Sequence, residues 1–271
     1  METLLLWHIP LSHFNEKVRW ALDYKGVAHR RRVLGAEYLI RAWRATGHGT
    51  LPILFLDGRA IGDSTHIIAA LEERFPDPPL YPADAAARER ALALEDYFDE
   101  QLGPAIRAAV VTPLFRNDPD LALHVLTTGM PEQAYRMLRP LRWVFPTFYR
   151  FRHSISDARL EADRSTVNTA LDRIERERQG RAYLVGDGFT VADLAAASLL
   201  SPLLQPPGIQ YPVRVELPPY LQDYRATVLQ RIAARAARDG DDFKISTELA
   251  AFYFDHFEVP AAAEGPLTIM K

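Results

Sequence analysis

The sequence predicts an α/β domain followed by an all-helical domain. Short apolar runs alternate with helically spaced apolar residues over roughly the first quarter of the chain. Four prolines then occur within residues 75–84, a composition typical of a linker. Beyond this stretch the apolar residues follow helical spacing only. We therefore expect a first domain over residues 1–76, a linker over 77–83 and a second domain over 84–271.

The first domain is predicted to begin with a strand, a helix and a second strand. Residues 4–8 form a short apolar run suited to a strand. Residues 14–25 carry apolar side chains at helical spacing, and Gly26 is placed to end that helix. Residues 29–34 predict a second strand, whose three consecutive arginines indicate a sheet edge or a solvent-facing side. A short helix is expected over residues 37–45.

A hairpin and a further helix complete the first domain. The stretch LPILFLDGRAIG, residues 51–62, is typical of two strands joined at Asp57-Gly58, a favoured hairpin turn pair. Ser64 then opens a helix. The order of elements predicts one mixed sheet with helices packed on it.

The second domain is predicted to be built from helices of unequal character. The helix predicted over residues 85–116 is interrupted softly at Gly103-Pro104. The helix predicted over residues 131–151 is expected to be kinked by Pro140 and Pro146. The predicted helical segments are residues 85–116, 131–151, 157–179, 189–204 and 221–238.

The segment 189–204 is the most apolar of these helices. It is apolar almost all round, which predicts a buried helix. At its start, FTVADL places Thr190 and Asp193 at the spacing of a capping box. We interpret this motif as a folding signal.

Composition excludes several functions. The chain has no cysteine, which excludes disulfides, thiolate metal sites and any nucleophilic or redox thiol of its own. Its eight histidines form no metal-binding pattern. A net charge of −3 gives no general reason to expect nucleic acid or an acidic membrane as a partner. No signal peptide or membrane-spanning stretch is evident, so a cytoplasmic protein is expected.

Ser12 stands at the start of the first predicted helix and allows two interpretations. As an N-cap, its side-chain oxygen would accept a hydrogen bond from a first-turn N–H. Alternatively, the positive end of the helix would stabilise a bound thiolate, to which the hydroxyl would donate a hydrogen bond. In the second case the protein activates a thiol that it does not itself carry.

Leu51-Pro52 and Asp63-Ser64 are two further candidate sites. A proline directly before a strand is either an ordinary trans residue or a cis-proline, and the residue before it could pair with an extended ligand. Asp63 or Ser64 could simply cap the last helix of the domain. Alternatively, Ser64 and the helix N–H groups would bind an α-carboxylate, and Asp63 an ammonium group.

These features occur in an order that resembles the glutathione transferase superfamily. The matching stretches are LSHFNEKVRWAL, GTLPILFLDGRAIGDSTHIIAALEERFP and LVGDGFTVADLAAASLL. The chain resembles a bacterial member of the serine-type, theta- or tau-like classes. The resemblance implies a thioredoxin-like N-terminal domain that binds glutathione, an all-helical C-terminal domain, and a homodimer. It is thin over residues 117–179, which form a longer segment than in a typical member.

The resemblance also implies roles for individual residues. Ser12 matches the serine that hydrogen-bonds the glutathione sulfur, and Leu51-Pro52 matches the backbone-pairing residue and the cis-proline, with Thr50 beside them. Asp63 and Ser64 match the pair that holds the γ-glutamyl end. For the glycyl carboxylate we weigh three candidates without a matching position: Arg41, Arg44 and His48.

The implied activity is conjugation of a glutathione thiolate with an apolar electrophile, as in detoxification. We expect the second substrate to contact Phe14, Tyr97, Gln101 and Arg107. Glutathione is then a co-substrate, and no metal, nucleic acid or membrane is expected. Two alternatives stay open: a different low-molecular-weight thiol, or a non-catalytic binding protein in which the aromatic stretch RWVFPTFYRFRH fills the pocket.

Overall fold

The structure is a computed structural model of the chain. It describes residues 4–35, 37–128, 130–152, 156, 159–205, 210–211 and 218–236. The predicted end of the last helix and the rest of the C-terminal stretch lie outside these residues.

A single mixed sheet forms the centre of the first domain, as predicted. Its strands are β1 (Leu4–His8), β2 (His29–Val33), β3 (Ile53–Leu56) and β4 (Arg59–Gly62). Their order is β2-β1-β3-β4, with β1 and β2 parallel and the other pairs antiparallel. The arginine-rich strand β2 lies at an edge, where Arg30 and Arg32 are exposed. This position explains how three arginines fit into a strand.

The predicted hairpin turn is confirmed. Asp57 and Gly58 have φ angles of 48° and 76°, so both central residues are left-handed. Such a pair matches the twist of the flanking strands β3 and β4.

Three helices surround the sheet: α1 (His13–Tyr24), α2 (Tyr38–Thr46) and α3 (Ser64–Arg74). Leu6 and Leu54, paired across β1 and β3, are fully buried in one core with residues of α1 and α3. On the other face Trp7 packs edge-on against Phe55, with ring centroids 4.7 Å apart. These two rings line an open groove with α2. Helices therefore lie on both faces of the sheet.

The second domain is helical throughout the part described. Its helices are α4 (Ala85–Tyr97), α5 (Gly103–Asn117), α6 (Pro119–Leu126), α7 (Glu132–Leu138), α8 (Val144–Arg152), α9 (Leu160–Arg178), α10 (Val191–Leu204) and α11 (Pro219–Ala236). A π-helical turn, Phe98–Leu102, joins α4 to α5. The soft interruption predicted at Gly103-Pro104 is thus found one turn earlier. Pro104 supplies no N–H to the preceding turn, which permits the wider winding.

The two prolines expected to kink the aromatic segment behave differently. Pro140 lies in a 3₁₀ turn, Arg139–Leu141, that separates α7 from α8. Pro146 lies in the first turn of α8, which continues to Arg152. The expected kink at Pro146 is wrong, because N–H groups in a first helical turn have no partner within the helix to lose.

Helix α10 is the buried helix that the sequence predicts, and it packs against α1, α4 and α5. Its capping box is confirmed. The Oδ2 atom of Asp193 accepts hydrogen bonds from the N–H and the hydroxyl of Thr190, at 3.0 and 2.8 Å. Oδ1 accepts a third bond, from the N–H of Leu184 at 2.8 Å. One buried carboxylate therefore holds the start of α10 and the loop before it.

The residues between α3 and α4 form no helix or strand. Among the described helices, none combines the length and the apolar character needed to cross a bilayer.

Candidate active site

Ser12 occupies the N-cap position of α1, but its hydroxyl does not cap the helix. The Ser12 backbone N–H donates to the Ile9 carbonyl, and the Ser12 carbonyl accepts from the N–H of Glu16 at 2.8 Å. The half-buried side chain accepts no hydrogen bond from the first turn. The expectation of a side-chain cap is therefore wrong. The hydroxyl stands at the positive end of a 12-residue helix without a capping partner.

A buried polar network holds the loop that carries Ser12. Arg19 is fully buried and donates to the carbonyl of Pro10 at 2.6 Å, and it pairs with Glu16 on the same helix. Asn15 accepts a bond through Oδ1 from the N–H of Ile9 at 3.2 Å. The negative charge of Glu16 is thus compensated within α1 and does not oppose an anion at Ser12. Sequence patterning missed Asn15 and Arg19, since their spacing shows neither burial nor partners.

The Leu51-Pro52 peptide bond is cis, as the resemblance implies. Leu51 lies two residues before strand β3, and no backbone hydrogen bond joins it to another described residue. Thr50 beside it is exposed. The backbone at Leu51 is therefore open to an extended ligand.

Asp63 has a strained backbone at the start of α3. Its φ and ψ angles are 70° and 132°, a region that residues other than glycine rarely adopt. Its carboxylate accepts a hydrogen bond from the N–H of Thr65 at 2.9 Å, so Asp63 is the cap of α3. Ser64 is buried, with 5% of its surface exposed. The capping interpretation holds for Asp63, whose exposed carboxylate is also positioned to meet a cation.

A cluster of buried charges lies behind Thr65. Its hydroxyl contacts Glu95 and Asp99, at 3.2 and 3.0 Å. The ammonium group of Lys17 lies 2.7 Å from Glu95 and 2.5 Å from Asp99. Burial raises the pKa of Glu95, against the opposing effect of Lys17. The cluster joins α1, α3, α4 and the π-turn behind the start of α3.

An open groove of about 700 Å³ runs along this edge of the first domain. It brings together Thr50 and Asp63 from the predicted set. His48, one of the three residues weighed for binding the glycyl carboxylate, also lines it. Ser12 is not among the residues that line it. The complete lining is Thr46, His48, Thr50, Arg59, Ala60, Ile61, Gly62, Asp63 and His66.

The four residues expected to contact a second substrate fall into two groups. Phe14 and Arg107 are together, with the guanidinium carbon 5.5 Å from the ring centroid. Tyr97 instead lies under Arg173 of α9, 5.3 Å from its ring centroid. Gln101 is exposed in the π-turn. The structure thus brings Phe14 and Arg107 to one place and leaves Tyr97 against α9.

The long segment before α9 contacts the loop that carries Thr50. Arg152, at the end of α8, donates to the carbonyl of Gly49 at 3.2 Å. Burial raises the pKa of Tyr149 to about 12, against an opposing effect of Arg107. Burial likewise raises the pKa of Tyr38 in α2, opposed by Arg152 and Arg107. Two tyrosines and two arginines that the motifs did not connect therefore lie near one another around α2, α5 and α8.

Two family models match the chain. The glutathione S-transferase N-terminal domain matches residues 6–79, and the glutathione S-transferase C-terminal domain matches residues 138–231. Together these ranges cover more than half of the chain. The chain therefore belongs to the glutathione S-transferase superfamily, with a thioredoxin-like N-terminal domain and a helical C-terminal domain.

Individual relatives are distant. A probable glutathione S-transferase of Nicotiana tabacum is 25% identical over 200 residues, which are 72% of this chain and 68% of the relative. Protein LigF of a Sphingobium species is 25% identical over 170 residues, 59% of this chain and 62% of that protein. These identities leave the reaction and substrate of the present chain unassigned.

Solved structures share the fold. The β-etherase LigF from Sphingobium sp. strain SYK-6 has a TM-score of 0.57 and 20% identity, covering 94% of this chain and 99% of that one. A glutathione S-transferase from Methylobacterium radiotolerans, in complex with glutathione sulfonate, has a TM-score of 0.53 and 23% identity, covering 86% and 92%.

Proposed function

We propose that the chain is a glutathione-dependent transferase in which Ser12 activates the bound thiol. The observation that carries this proposal is the Ser12 hydroxyl, which stands at the N-terminus of α1 without capping it. A thiol bound there has its pKa lowered by the helix, and the hydroxyl donates a hydrogen bond to the thiolate. Glutathione is a ligand of the Methylobacterium relative in the form of its sulfonate.

The same geometry supports the remaining proposed glutathione contacts. The open backbone at Leu51, beside Thr50 and the cis Pro52, pairs with the cysteinyl part. Ser64 and the start of α3 bind the γ-glutamyl carboxylate, and Asp63 binds the ammonium group. His48 or an arginine of α2 is then left for the glycyl carboxylate.

The reaction is attack of the thiolate on an electrophilic carbon. A carbon–sulfur bond forms, and the leaving group departs with the electron pair of the bond that breaks. Phe14, two residues after Ser12, and Arg107 against its ring supply an aromatic surface and a cation. Displacement of an aryl oxide is one form of this reaction that needs such a cation, and one relative is named a β-etherase.

Calorimetry with glutathione tests the binding step. We expect the wild type to bind, and Asp63→Asn to bind about ten- to a hundredfold more weakly, as for the loss of a charged hydrogen bond. Asparagine keeps a side-chain oxygen for the N–H of Thr65, so α3 stays capped. Absence of binding by the wild type would refute the glutathione proposal and move the test to thiols that lack a γ-glutamyl group.

The chemical step is tested at Ser12. We expect Ser12→Ala to bind glutathione normally but to conjugate a dinitrophenyl halide on the order of a hundredfold more slowly. The pKa of the bound thiol, read from thiolate absorbance, should rise. Ser12→Thr keeps the hydroxyl and is the matched control. Unchanged thiol pKa and rate in Ser12→Ala would leave Ser12 without the proposed role.

A non-catalytic binding protein is the second candidate. It is favoured by one observation, the contact of Arg152 with Gly49, which places α8 against the loop that carries Thr50. If the segment seals the site, the wild type binds no glutathione, and Arg152→Ala with Tyr149→Ala gains binding. If the wild type already binds, this candidate is refuted.

A further inference from the structure

Among the residues that the structure describes, the large apolar side chains left exposed belong to two parts of the chain. Two of those within the described residues, Ile40 and Trp43, belong to α2. The others are Met137, Leu141, Trp143, Val144, Phe148 and Phe151, which we call the α7–α8 surface. Single exposed apolar residues are normal, whereas a group of this kind marks an interaction site.

In sequence the α7–α8 surface has the spacing of one helix face, although the 3₁₀ turn Arg139–Leu141 divides it between α7 and α8. Five of its residues follow one another at intervals of four and three: Met137, Leu141, Val144, Phe148 and Phe151. Phe151 is 87% exposed and Met137 is 79% exposed. Tyr149 points the other way, toward Leu114 and Ala122. The segment therefore presents apolar side chains to solvent as well as to the core, and nothing described covers the exposed ones.

Arginines surround this surface in a chain that is acidic overall. Residues 132–152 contain five arginines and one acid, a net charge of +4. Residues 30–48, which include α2, also carry +4. Since the whole chain carries −3, all other residues together carry −11. Arg136 and Arg139 are well exposed, with 73% and 61% of their side-chain surface accessible. Arg136 pairs with Glu132, and Asp120 lies beside Arg139 and Arg142, which reduces the local positive excess by one charge.

The two basic segments are in contact. Arg152 of α8 donates to the carbonyl of Gly49, just after α2. A Cβ atom at Gly49 would lie 3.4 Å from the side chain of Leu39 in α2. The end of α8 thus lies beside α2 and the loop that follows it.

We propose that the α7–α8 surface docks on an anionic lipid bilayer. Aliphatic and aromatic side chains require a hydrocarbon environment, and tryptophan and arginine suit the headgroup region. A nucleic acid provides the negative charge but no hydrocarbon for Val144 or Met137. The segregated positive charge complements acidic headgroups, while the acidic remainder is repelled and orients the protein. The chain lies on the bilayer without crossing it.

Vesicle flotation with the full chain tests this proposal. We expect the wild type to float with vesicles that contain phosphatidylglycerol, to stay behind with pure phosphatidylcholine, and to be released by high salt. Arg136→Glu should weaken binding at least about fivefold, which is the effect of about 1 kcal/mol per basic residue. Phe151→Ser should weaken it by removing apolar contact.

The matched control is Arg176→Glu, which makes the same charge change at an exposed position of α9. We expect this variant to float like the wild type, and circular dichroism to show all variants folded. Failure of the wild type to float would overturn the proposal, as would equal losses in Arg136→Glu and Arg176→Glu. Self-association abolished by Phe151→Ser, without flotation, would identify an interface between copies instead.

Discussion

Burial and neighbouring positive charges change the pKa of His8. Its side chain is fully buried, and its Nδ1 atom lies 2.9 Å from the guanidinium of Arg19. Burial lowers the pKa of His8 well below 6.5, and Arg19, Arg31 and His29 lower it further. The folded protein therefore keeps His8 neutral at pH values where the unfolded chain binds a proton.

This depressed pKa predicts a pH-dependent stability. The contribution of His8 is complete above the unfolded pKa and is lost as the pH falls through it. Between about pH 7.5 and about pH 5.5 we expect the wild type to lose about 1.4 kcal/mol more unfolding free energy than His8→Gln. Glutamine keeps an oxygen for Arg19. Urea unfolding at both pH values measures the difference, and parallel losses would contradict the prediction.

At the scale of elements, the ring of Phe14 at the start of α1 packs closely against Gly103 at the start of α5. A Cβ atom at Gly103 would lie 2.5 Å from the tip of the Phe14 ring. The contact fixes Phe14 beside Arg107, four residues further along α5. A glycine therefore determines where the aromatic wall of the site stands.

We expect Gly103→Ala to destabilise the fold by about 1–3 kcal/mol, because the ring is forced out of its position. The cost should be much smaller in the background of Phe14→Ala, where the clash is absent. A double-mutant cycle in urea measures this coupling. Additive effects of the two substitutions would show that the ring moves away without cost.

Local rules predicted most elements and failed where packing decides. Asp57-Gly58, the capping box at Thr190 and the apolar helix α10 were all evident, because each depends on neighbours in sequence. The Ser12 cap was predicted from the same kind of rule and is absent. Whether a hydroxyl turns to its own helix depends on the loop around it, which Arg19 and Asn15 hold from within the fold.

At the scale of the whole molecule, Lys17 joins the two domains. It is fully buried and pairs with Glu95 and Asp99 across the domain boundary. One further oxygen of each carboxylate is buried without a hydrogen-bond partner within the described part of the chain. Removal of the ammonium group would leave two buried negative charges uncompensated.

We expect Lys17→Met to cost about 3–5 kcal/mol of unfolding free energy near neutral pH. Burial already raises the pKa of Glu95 in the folded protein. The folded state therefore favours the protonated carboxyl, and stability is lost as the pH rises through this raised pKa. The cost should therefore shrink toward about pH 5. The double variant with Glu95→Gln should recover part of the loss. A cost independent of pH would indicate a packing defect instead.

The net charge of the whole chain differs in sign from the charge of two of its segments. The net charge of −3 predicted no attraction to an acidic membrane, yet residues 30–48 and 132–152 together carry +8. The sum was correct but did not reveal that the two segments adjoin at Arg152 and Gly49. Only the fold brings these two basic segments together.

The sequence by itself determined the order of strands and helices in the first domain, the two-domain plan, and the family through its motifs. These depend on apolar periodicity and on turn and cap residues, which act over a few positions. Only the tertiary structure decided that the Ser12 hydroxyl does not cap α1, that polar residues of α1 are buried in pairs, and that Arg107 meets Phe14 while Tyr97 does not. Those outcomes depend on partners distant in sequence, and burial with such partners has no local signature.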